Sequence, residues 1–473
     1  MMKDKAQTKV TFVEPMGAFS NVFAQYMSIP MLGPLYLGTL AKRAGYDVEI
    51  LNENILKRKL VGQDIEDVDI LCLSCMTSTI ERGKTIAREY KKIRQKKGLP
   101  SRTIVGGIHA SMIPEDVEND FDQIFVGEAE SSIIPLLDGE LEGKIVEGNP
   151  VEKMDSIPIP DFSLLKGWNR RGIRPVMTSR GCPYDCTFCS VTEMFGRGYR
   201  AMSADRVMEE VEAYPRSKLF FVDDHFVASK KRTHELLDKM EQKNLRTKWS
   251  CQLRADVAKD ETLVQRMSDN GCFNVYIGFE SVNQKMLEEI HKNQTVDDIR
   301  QAIDIFQSNG IGVHGMFMLG SDSDDKTIFE QTSKFTKSTR LSTVQYMILT
   351  PLPGTKFYRD MVKQGRLLHK KWDFYDALHV VFQPKNLTPE ELQQGMLGCF
   401  EDFYSYTHAF NDAINLFFKT SGIAAKSIYK HVRFPQLSSP FIKALGKHIV
   451  KKWKSGNKSY LGYLNILSMR NDS

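Results

Sequence analysis

The interpretation of this chain rests on one stretch, Thr178-Ser-Arg-Gly-Cys182-Pro-Tyr-Asp-Cys186-Thr-Phe-Cys189-Ser190. Its cysteines are spaced C-x3-C-x2-C. A disulfide needs only two cysteines and an oxidising compartment, and a structural zinc site normally takes four ligands in two separated pairs. A 4Fe–4S cluster takes one thiolate per iron, so three local thiolates leave one iron free for a substrate or cofactor. The stretch therefore favours a cluster site over a chance grouping or a partial zinc site.

The composition of the chain limits the class of protein to which this loop belongs. The chain has 473 residues, 41% of them hydrophobic and 26% charged, which suits two or three soluble globular domains. The net charge of +5 is too small to indicate a nucleic-acid partner. The N-terminus lacks the apolar core of a signal peptide, and no uninterrupted apolar run reaches about 18 residues. We expect a reduced, cytoplasmic location, with the remaining cysteines free; these are Cys72, Cys75, Cys251, Cys272 and Cys399.

The N-terminal domain, predicted over 1–147, alternates short apolar runs with helical periodicity. This pattern is typical of a doubly wound parallel α/β sheet. The predicted strands are 10–13, 47–51, 70–74, 103–107 and 123–127. Ligands of such sheets lie beyond the carboxyl ends of the strands, where glycines let them approach the backbone. Two such ends carry Gly106, Gly107 and His109, and Gly127 and Glu128.

A proline-rich linker is predicted over 148–170, and βα alternation resumes over 171–384. Six strands with intervening helices predict a partial (β/α)6 barrel, whose functional groups should lie at the carboxyl ends of the strands. The predicted strands are 175–179, 218–224, 248–253, 274–280, 312–320 and 343–349. Their ends carry Asp223, Arg254, Glu280 and Ser281, each of which could alone be an ordinary solvated turn residue.

The cysteine spacing, with Phe188 before the third cysteine, resembles the signature of the radical S-adenosylmethionine (SAM) enzymes. The resemblance implies a 4Fe–4S cluster on Cys182, Cys186 and Cys189 whose open iron chelates SAM. An external donor such as flavodoxin or ferredoxin would reduce the cluster, and SAM would then be cleaved to a 5′-deoxyadenosyl radical. The segments 221–226 and 278–281 resemble those that contact SAM in this family. The expected SAM contacts are Asp223, Arg254, Glu280 and Ser281.

A second resemblance concerns the N-terminal domain. The segments Ile29-Pro-Met-Leu-Gly-Pro-Leu-Tyr-Leu-Gly38, 44–48, 106–110 and 126–130 resemble, in sequence and order, the cobalamin-binding domain fused to many radical SAM enzymes. It implies cobalamin contacts at Gly106, Gly107, His109, Gly127 and Glu128. The loop after the first strand has no D-x-H-x-x-G motif, so it offers no histidine to the cobalt. We expect His109 to pack or hydrogen-bond near the cofactor edge rather than to ligate cobalt.

The C-terminal region, predicted over 385–473, reads as basic and helical. Thr388 is a predicted helix cap, with Pro389 at the first helical position. Residues 411–473 contain 11 Lys and Arg against 2 Asp, a net charge of +9. Basic helices with interleaved aromatic residues can lie on anionic membranes, or can cap a barrel with their lysines in solvent. The best candidate for peripheral membrane contact is 441–454.

Together the two resemblances imply a cobalamin-dependent radical SAM methyltransferase acting on an unactivated carbon. The expected substrate is hydrophobic: a lipid, an isoprenoid or a tetrapyrrole. Hopanoid methylases share this domain order. The alternatives are a radical SAM cyclase or oxygen-inserting enzyme acting on a tetrapyrrole, and a non-catalytic cobalamin or cluster sensor. A methylthiotransferase acting on transfer RNA would carry three cluster cysteines in its N-terminal domain, where this chain has only Cys72 and Cys75.

Overall fold

The computed structural model describes residues 4–18, 29–169, 172–214, 217–245, 247–339, 341–420 and 434–471. Its strands form two six-stranded sheets and one two-stranded ribbon. In chain order the strands are β1 Lys9–Glu14, β2 Asp47–Asn52, β3 Ile70–Ser74, β4 Thr103–Gly106, β5 Gln123–Val126, β6 Ile145–Glu147, β7 Ile173–Val176, β8 Ser179–Arg180, β9 Arg200–Ala201, β10 Lys218–Phe221, β11 Trp249–Leu253, β12 Cys272–Glu280, β13 Gly312–Leu319 and β14 Thr343–Ile348.

Helices connect these strands and form the C-terminal region. In chain order they are α1 Leu32–Arg43, α2 Glu53–Leu56, α3 Gly62–Ile65, α4 Ile80–Lys96, α5 Ile108–Met112, α6 Ile133–Leu137, α7 Val191–Phe195, α8 Ala204–Glu212, α9 Lys230–Gln242, α10 Glu261–Asp269, α11 Gln284–Glu289, α12 Val296–Ser308, α13 Thr327–Ser338, α14 Lys356–Lys363, α15 Pro389–Phe403, α16 Tyr406–Thr420 and α17 Phe434–Asn471.

The N-terminal sheet has the order β2-β1-β3-β4-β5-β6, and all of its pairings are parallel. This confirms the doubly wound α/β fold. The strand order reverses beside β1, so a crevice opens at the carboxyl edge of the sheet. The five predicted strands are present, and β6 is a sixth that sequence analysis missed. β6 has three residues, of which only Val146 is buried, so its sequence has no apolar alternation to detect.

The second sheet has the order β7-β10-β11-β12-β13-β14, again with parallel pairings throughout. Each strand pairs with the next one of the βα series, and no pairing between β7 and β14 closes the sheet in the described part of the chain. This confirms the predicted partial (β/α)6 barrel. The layer between this sheet and its covering helices is apolar, and buried aromatic side chains help to fill it, such as Phe317, which packs against Phe335 of α13.

The strand predicted over 175–179 is broken. β7 ends at Val176, and the chain then forms β8, which pairs antiparallel with β9. The cysteine loop is the connection between these two short strands. The break has a physical cause, because the carboxylate of Asp223 accepts the backbone N–H groups of Thr178 (2.6 Å) and Ser179 (2.8 Å) and so takes the place of a strand neighbour.

The C-terminal region begins as predicted. Thr388 caps α15 in a capping box with Glu391, and Pro389 is the first helical residue. Before α15, the chain runs back to the N-terminal domain, where Trp372 is buried and its Nε1 donates to Asp116 Oδ1 at 3.0 Å. In the described ranges, every helix is too short or too polar to cross a membrane.

Candidate functional site

The cysteine loop lies at the carboxyl end of the barrel strands. Cys182, Cys186 and Cys189 are half-buried, and Cys189 N donates to Cys186 O at 3.0 Å. Burial raises the pKa of the Cys189 thiol to about 12, and charge on Cys186 and Cys182 would raise it further. In the described part of the chain, no three His, Cys, Asp or Glu side chains converge as they would around a single ion. A 4Fe–4S cluster takes one thiolate per iron, so the three cysteines would supply three of its four irons with a ligand.

Asp223, a predicted SAM contact, anchors this loop. Its side chain is buried, and its Oδ2 accepts the hydroxyl of Thr178 while Oδ1 accepts the two N–H groups named above. Both oxygens are therefore occupied by the chain itself, and SAM contact by Asp223 stays a prediction. The next residue, Asp224, is the exposed carboxylate at the barrel mouth. The protein atoms around the carboxylate of Asp224 shield it from part of the solvent. This desolvation, and then the charge of Asp223, raise the pKa of Asp224 to about 6.

Arg254, which follows β11, lies against the cysteine loop, and SAM contact by Arg254 stays a prediction. Its guanidinium lies 3.8 Å from the ring centroid of Tyr184, which belongs to the cysteine loop. Its Nη2 donates to the carbonyl of Lys292 at 2.5 Å. Burial raises the pKa of Cys186, and the charges of Lys292 and Arg254 oppose that rise. The positive charge of Arg254 therefore lies beside the cysteine loop, where it would attract a bound anion.

Glu280 and Lys292 form a buried ion pair beside this arginine, with 2.7 Å between Lys292 Nζ and Glu280 Oε1. Glu280 has a φ of 66°, at an irregularity in the pairing of β12 with β13. Ser281, also predicted, is buried, and its Oγ accepts the N–H of Asn283. Sequence analysis missed Lys292 because it lies in the loop between α11 and α12, away from the strand ends.

His225 lies in the segment 221–226, which was expected near SAM, although this residue was not named as a contact. It is buried, its ring centroid lies 5.9 Å from that of Tyr184, and its Nδ1 has no hydrogen-bond partner among the described residues. Burial lowers the pKa of His225 to about 4, so the ring is neutral at neutral pH. Beside the three cysteines, the site therefore offers a cation pair, a buried carboxylate and a neutral imidazole. These groups suit the carboxylate, ammonium and hydroxyl groups of SAM.

A cavity of about 260 Å³ lies between the N-terminal sheet and the barrel. Four of the five residues predicted to contact cobalamin line it, namely Gly106, Gly107, Gly127 and Glu128. Its opposite wall comes from the barrel and includes Met177, Arg180, Met194 and Phe195. Two of the lining glycines leave open space where a side chain would begin. A Cβ on Gly33 would meet no atom within 4 Å, and one on Gly106 would meet none closer than 3.8 Å. Bare backbone and apolar walls fit a large, flat cofactor such as cobalamin.

His109, the fifth predicted residue, does not line this cavity. It is fully buried behind it, with Nε2 3.2 Å from Asp116 Oδ2 and Nδ1 3.4 Å from Thr77 Oγ1. Its ring also packs edge-on against Trp372, with 5.3 Å between the centroids. Both ring nitrogens therefore face groups of the chain itself, in agreement with packing rather than cobalt ligation.

Glu128 joins the two domains. Its Oε2 lies 2.6 Å from Arg180 Nη1 and 3.1 Å from Arg200 Nη1, and it accepts the N–H of Val151 at 3.0 Å. Arg180 also pairs with Glu130. We call these four charged residues, Glu128, Glu130, Arg180 and Arg200, the interdomain clasp. Because Arg180 is two residues from Cys182 and also lines the cavity, the clasp connects the cavity wall to the cysteine loop.

Glu128→Gln should destabilise the protein by about 2–4 kcal/mol, since removing one charge of a buried ion pair leaves its partners uncompensated. Denaturant unfolding of the cofactor-free protein measures this. The matched control is Glu401→Gln, which removes an exposed pair with Lys454 and should cost less than about 1 kcal/mol. Equal losses in the two variants would show that the clasp does not hold the domains together.

Two family models match the chain. The model of the B12 binding domain matches residues 25–136, and that of the radical SAM superfamily matches residues 176–331. The first range covers β2 to β5 of the sheet that lines the cavity, together with α1. The second begins at the end of β7 and contains the cysteine loop together with Asp223, Arg254 and Glu280.

Curated relatives match this chain over most of its length. An uncharacterized methyltransferase of Pyrococcus horikoshii is 28% identical over 410 residues, covering 79% of this chain and 88% of the relative. Bacteriochlorophyllide d C-12(1)-methyltransferase of Chlorobaculum tepidum is 25% identical, covering 85% and 88%. Anaerobic magnesium-protoporphyrin IX monomethyl ester cyclase of Cereibacter sphaeroides is 24% identical, covering 78% and 66%.

Among solved structures, the chain shares its fold with the cobalamin-dependent SAM radical enzyme OxsB, determined with aqua-cobalamin and SAM bound. The TM-score is 0.65 at 16% identity, covering 92% of this chain and 72% of that one. The sheet with its cavity, the barrel with its cysteine loop and the two matching families all agree. The chain belongs to the cobalamin-dependent radical SAM enzymes, whose cofactors are a 4Fe–4S cluster, SAM and cobalamin.

Proposed function

We propose that this enzyme transfers a methyl group from SAM to an unactivated carbon of a hydrophobic small molecule. One observation carries the proposal: the cavity of the B12-binding domain and the cysteine loop share a wall. Met177 and Arg180 belong to the segment that leads into Cys182, and both line the cavity. Two relatives that are named methyltransferases support the same reaction.

Cys182, Cys186 and Cys189 would hold the cluster, and Gly33, Gly106 and Gly127 would border the cobalamin. When bound, the cluster would supply the electron that cleaves SAM, and cobalamin would supply the methyl group. The chain's own contribution is to orient SAM. Arg254 and Lys292 offer positive charge, and Glu280 offers a carboxylate whose position is held by Lys292. Burial of these groups strengthens their interactions with a bound ligand.

His225 would hold one hydrogen bond to a ligand. Its neutral ring has an unpartnered Nδ1 among the described residues, and a buried polar atom without a partner costs free energy unless a ligand satisfies it. Because Tyr184 of the cysteine loop packs beside the ring, that bond would form next to the cluster site.

The hydrophobic substrate is supported by the side chains at the barrel mouth. Phe188, from the cysteine loop itself, packs with Met347 and Phe357 against a small separate cluster of buried apolar residues: Met286, Ile290, Met318 and Leu349. Methionine side chains adapt their shape to irregular apolar partners. Phe188, Met347 and Phe357 are only partly buried, so they leave apolar surface open beside the cysteine loop, and such a surface would suit a lipid, an isoprenoid or a tetrapyrrole better than a sugar or a nucleotide.

The second candidate is cyclisation or oxygen insertion on a tetrapyrrole, which the relative named as a cyclase favours. The two reactions differ in where the methyl group of SAM goes. The reconstituted enzyme is incubated with SAM deuterated in its methyl group, a reductant and an organic-solvent extract of the source organism lacking this gene. Methyl transfer predicts one organic-soluble product that carries the deuterated methyl group. A new tetrapyrrole without deuterium would instead establish the second candidate and refute methyl transfer.

We also propose that the enzyme works in the cytoplasm and takes its electron from flavodoxin or ferredoxin. The support is chemical: SAM cleavage consumes an electron that an external donor must supply, and an oxygen-sensitive cluster needs a reducing compartment. Reduction of the cluster by purified flavodoxin, followed as the appearance of its paramagnetic reduced form, tests this part separately.

A further inference from the structure

Large hydrophobic side chains are exposed together on the C-terminal helices. Of the twelve exposed large hydrophobic residues in the described part of the chain, six lie on α16 and in the first half of α17, and the other six, including Ile466 near the end of α17, are scattered over the surface. Phe410 and Phe441 are each 66% exposed. We call this group the apolar face, and its members are Tyr406, Phe410, Ile414, Phe441, Ile442 and Leu445. Contiguous exposed apolar surface of this kind marks an interaction site.

The two helices bring these residues side by side. α16 and α17 run antiparallel, since Tyr406 Oη lies 2.9 Å from His448 Nε2 and Asp412 lies 3.2 Å from Ser439 Oγ. Residues four apart share one side of a helix. Phe410 therefore lies in one line with Tyr406 along one side of α16. Phe441 and Leu445 lie in one line with His448 along one side of α17. The contact between Tyr406 and His448 places the two lines next to each other.

The charge around the apolar face is positive. Lys447 Nζ lies 4.1 Å from the ring centroid of Tyr406, and Lys451 and Lys452 continue the same lines by one helical turn. The acidic groups nearby are already neutralised, since Asp412 accepts a bond of 2.5 Å from the fully buried Lys443, and Glu401 pairs with Lys454. The face thus combines exposed aromatic rings with surface lysines, Lys447, Lys451 and Lys452, that form no ion pair with the described residues.

We propose that the apolar face docks the enzyme on an anionic membrane surface. Its rings would enter the boundary between headgroups and acyl chains while its lysines meet the anionic headgroups. A second copy of this chain fits less well, because a two-fold interface would bring the same lysines of both copies together.

The apolar face lies at the end of the barrel opposite the cysteine loop. Ser439 Oγ donates to the carbonyl of Ser342 at 3.4 Å, and Ser342 immediately precedes the amino end of β14. The cysteines are at the carboxyl ends of the strands, so docking leaves the barrel mouth open. The inference is therefore independent of the proposed reaction, and the two can fail separately.

The test is co-flotation of the full-length protein with vesicles. Wild type should float with vesicles of phosphatidylcholine mixed with phosphatidylglycerol, and only weakly with phosphatidylcholine alone. Raising the salt concentration should release the protein, because salt screens the attraction between its lysines and the anionic headgroups. The double variant Phe410→Ser, Phe441→Ser should bind the mixed vesicles on the order of a hundredfold more weakly, since two exposed rings no longer insert.

The control is Leu99→Ser, Val61→Ser, which removes two exposed hydrophobic residues outside the face and should bind like wild type. Thermal unfolding and SAM cleavage should be unchanged in both double variants. Failure of wild type to float, or equal binding by the Phe410→Ser, Phe441→Ser variant, would overturn the proposal. So would a wild-type dimer in solution that this variant converts to a monomer, because the face would then be an interface between two copies.

Discussion

Cys189→Ala should abolish both the iron–sulfur absorbance of the anaerobically reconstituted protein and its cleavage of SAM. Three thiolates bind three irons of a 4Fe–4S cluster and leave the fourth open for SAM. A chain with only two thiolates cannot hold the cluster in this SAM-binding form. Burial raises the pKa of Cys189 to about 12, so its proton must leave when iron binds. Iron and sulfide content, and 5′-deoxyadenosine formed on reduction, measure the two losses.

The matched control is Cys272→Ala, which alters a buried free thiol elsewhere in the barrel. Cys272 lies at the start of β12, at the opposite end of the strand from Glu280, so this variant should keep its cluster and its SAM cleavage. If Cys189→Ala retained full iron and activity, the cysteine loop would not be the cluster site.

Gly107→Ala should destabilise the cofactor-free protein by about 3 kcal/mol or more, because it combines a strained backbone with a steric clash. Gly107 has φ 95° and ψ −178°, a conformation reserved for glycine. A Cβ there would lie 2.7 Å from the carbonyl oxygen of Cys75 and 2.9 Å from its nitrogen. Backbone atoms cannot move aside as the tip of a side chain can, so β3 and β4 would separate at the cavity edge.

The neighbouring residue supplies the control. A Cβ on Gly106 would have no atom closer than 3.8 Å, and this residue has no positive φ. Gly106→Ala should therefore change the free energy of unfolding by less than about 1 kcal/mol. Denaturant unfolding of both variants tests the pair. Similar stabilities for the two would mean that the close approach of Gly107 to Cys75 is not part of the fold.

Most of the architecture could be predicted from the sequence, because parallel βα units carry their signal locally. Buried strands such as β3 and β10 are short apolar runs, and α15 begins with a cap and a proline that define its start. β6 was missed because a three-residue edge strand with one buried side chain has no such signal. The break after Val176 was missed for another reason: it depends on Asp223, which is 44 and 45 residues along the chain from the two N–H groups that it accepts.

The candidate sites, too, could be predicted only where the sequence carries a local signal. The cysteines and the glycines of the cavity could be found because their spacing or order is itself the signal. Lys292 and the pairing of Glu128 with Arg180 could not, since these contacts join segments that are distant in sequence, and an ion pair has no local pattern. Glu128 was expected at the cofactor. The structure shows that it lines the cavity and that its carboxylate is held by two arginines of the other domain.

These contacts suggest how two cofactor sites can work together. The segment 177–182 is at once a wall of the cavity, a partner of the clasp and the entry to the cysteine loop. Small movements of either domain would therefore change the position of the other site. The two domains imply the cofactors, and the shared wall brings their two candidate sites side by side.

The most direct test is to count the products that the enzyme makes from SAM. The anaerobically reconstituted, reduced enzyme is incubated with SAM, with and without cobalamin, and both 5′-deoxyadenosine and S-adenosylhomocysteine are quantified. We predict 5′-deoxyadenosine in both samples and S-adenosylhomocysteine only with cobalamin, because loss of the methyl group requires the second cofactor. Absence of S-adenosylhomocysteine in the presence of bound cobalamin would contradict methyl transfer as the function of this enzyme.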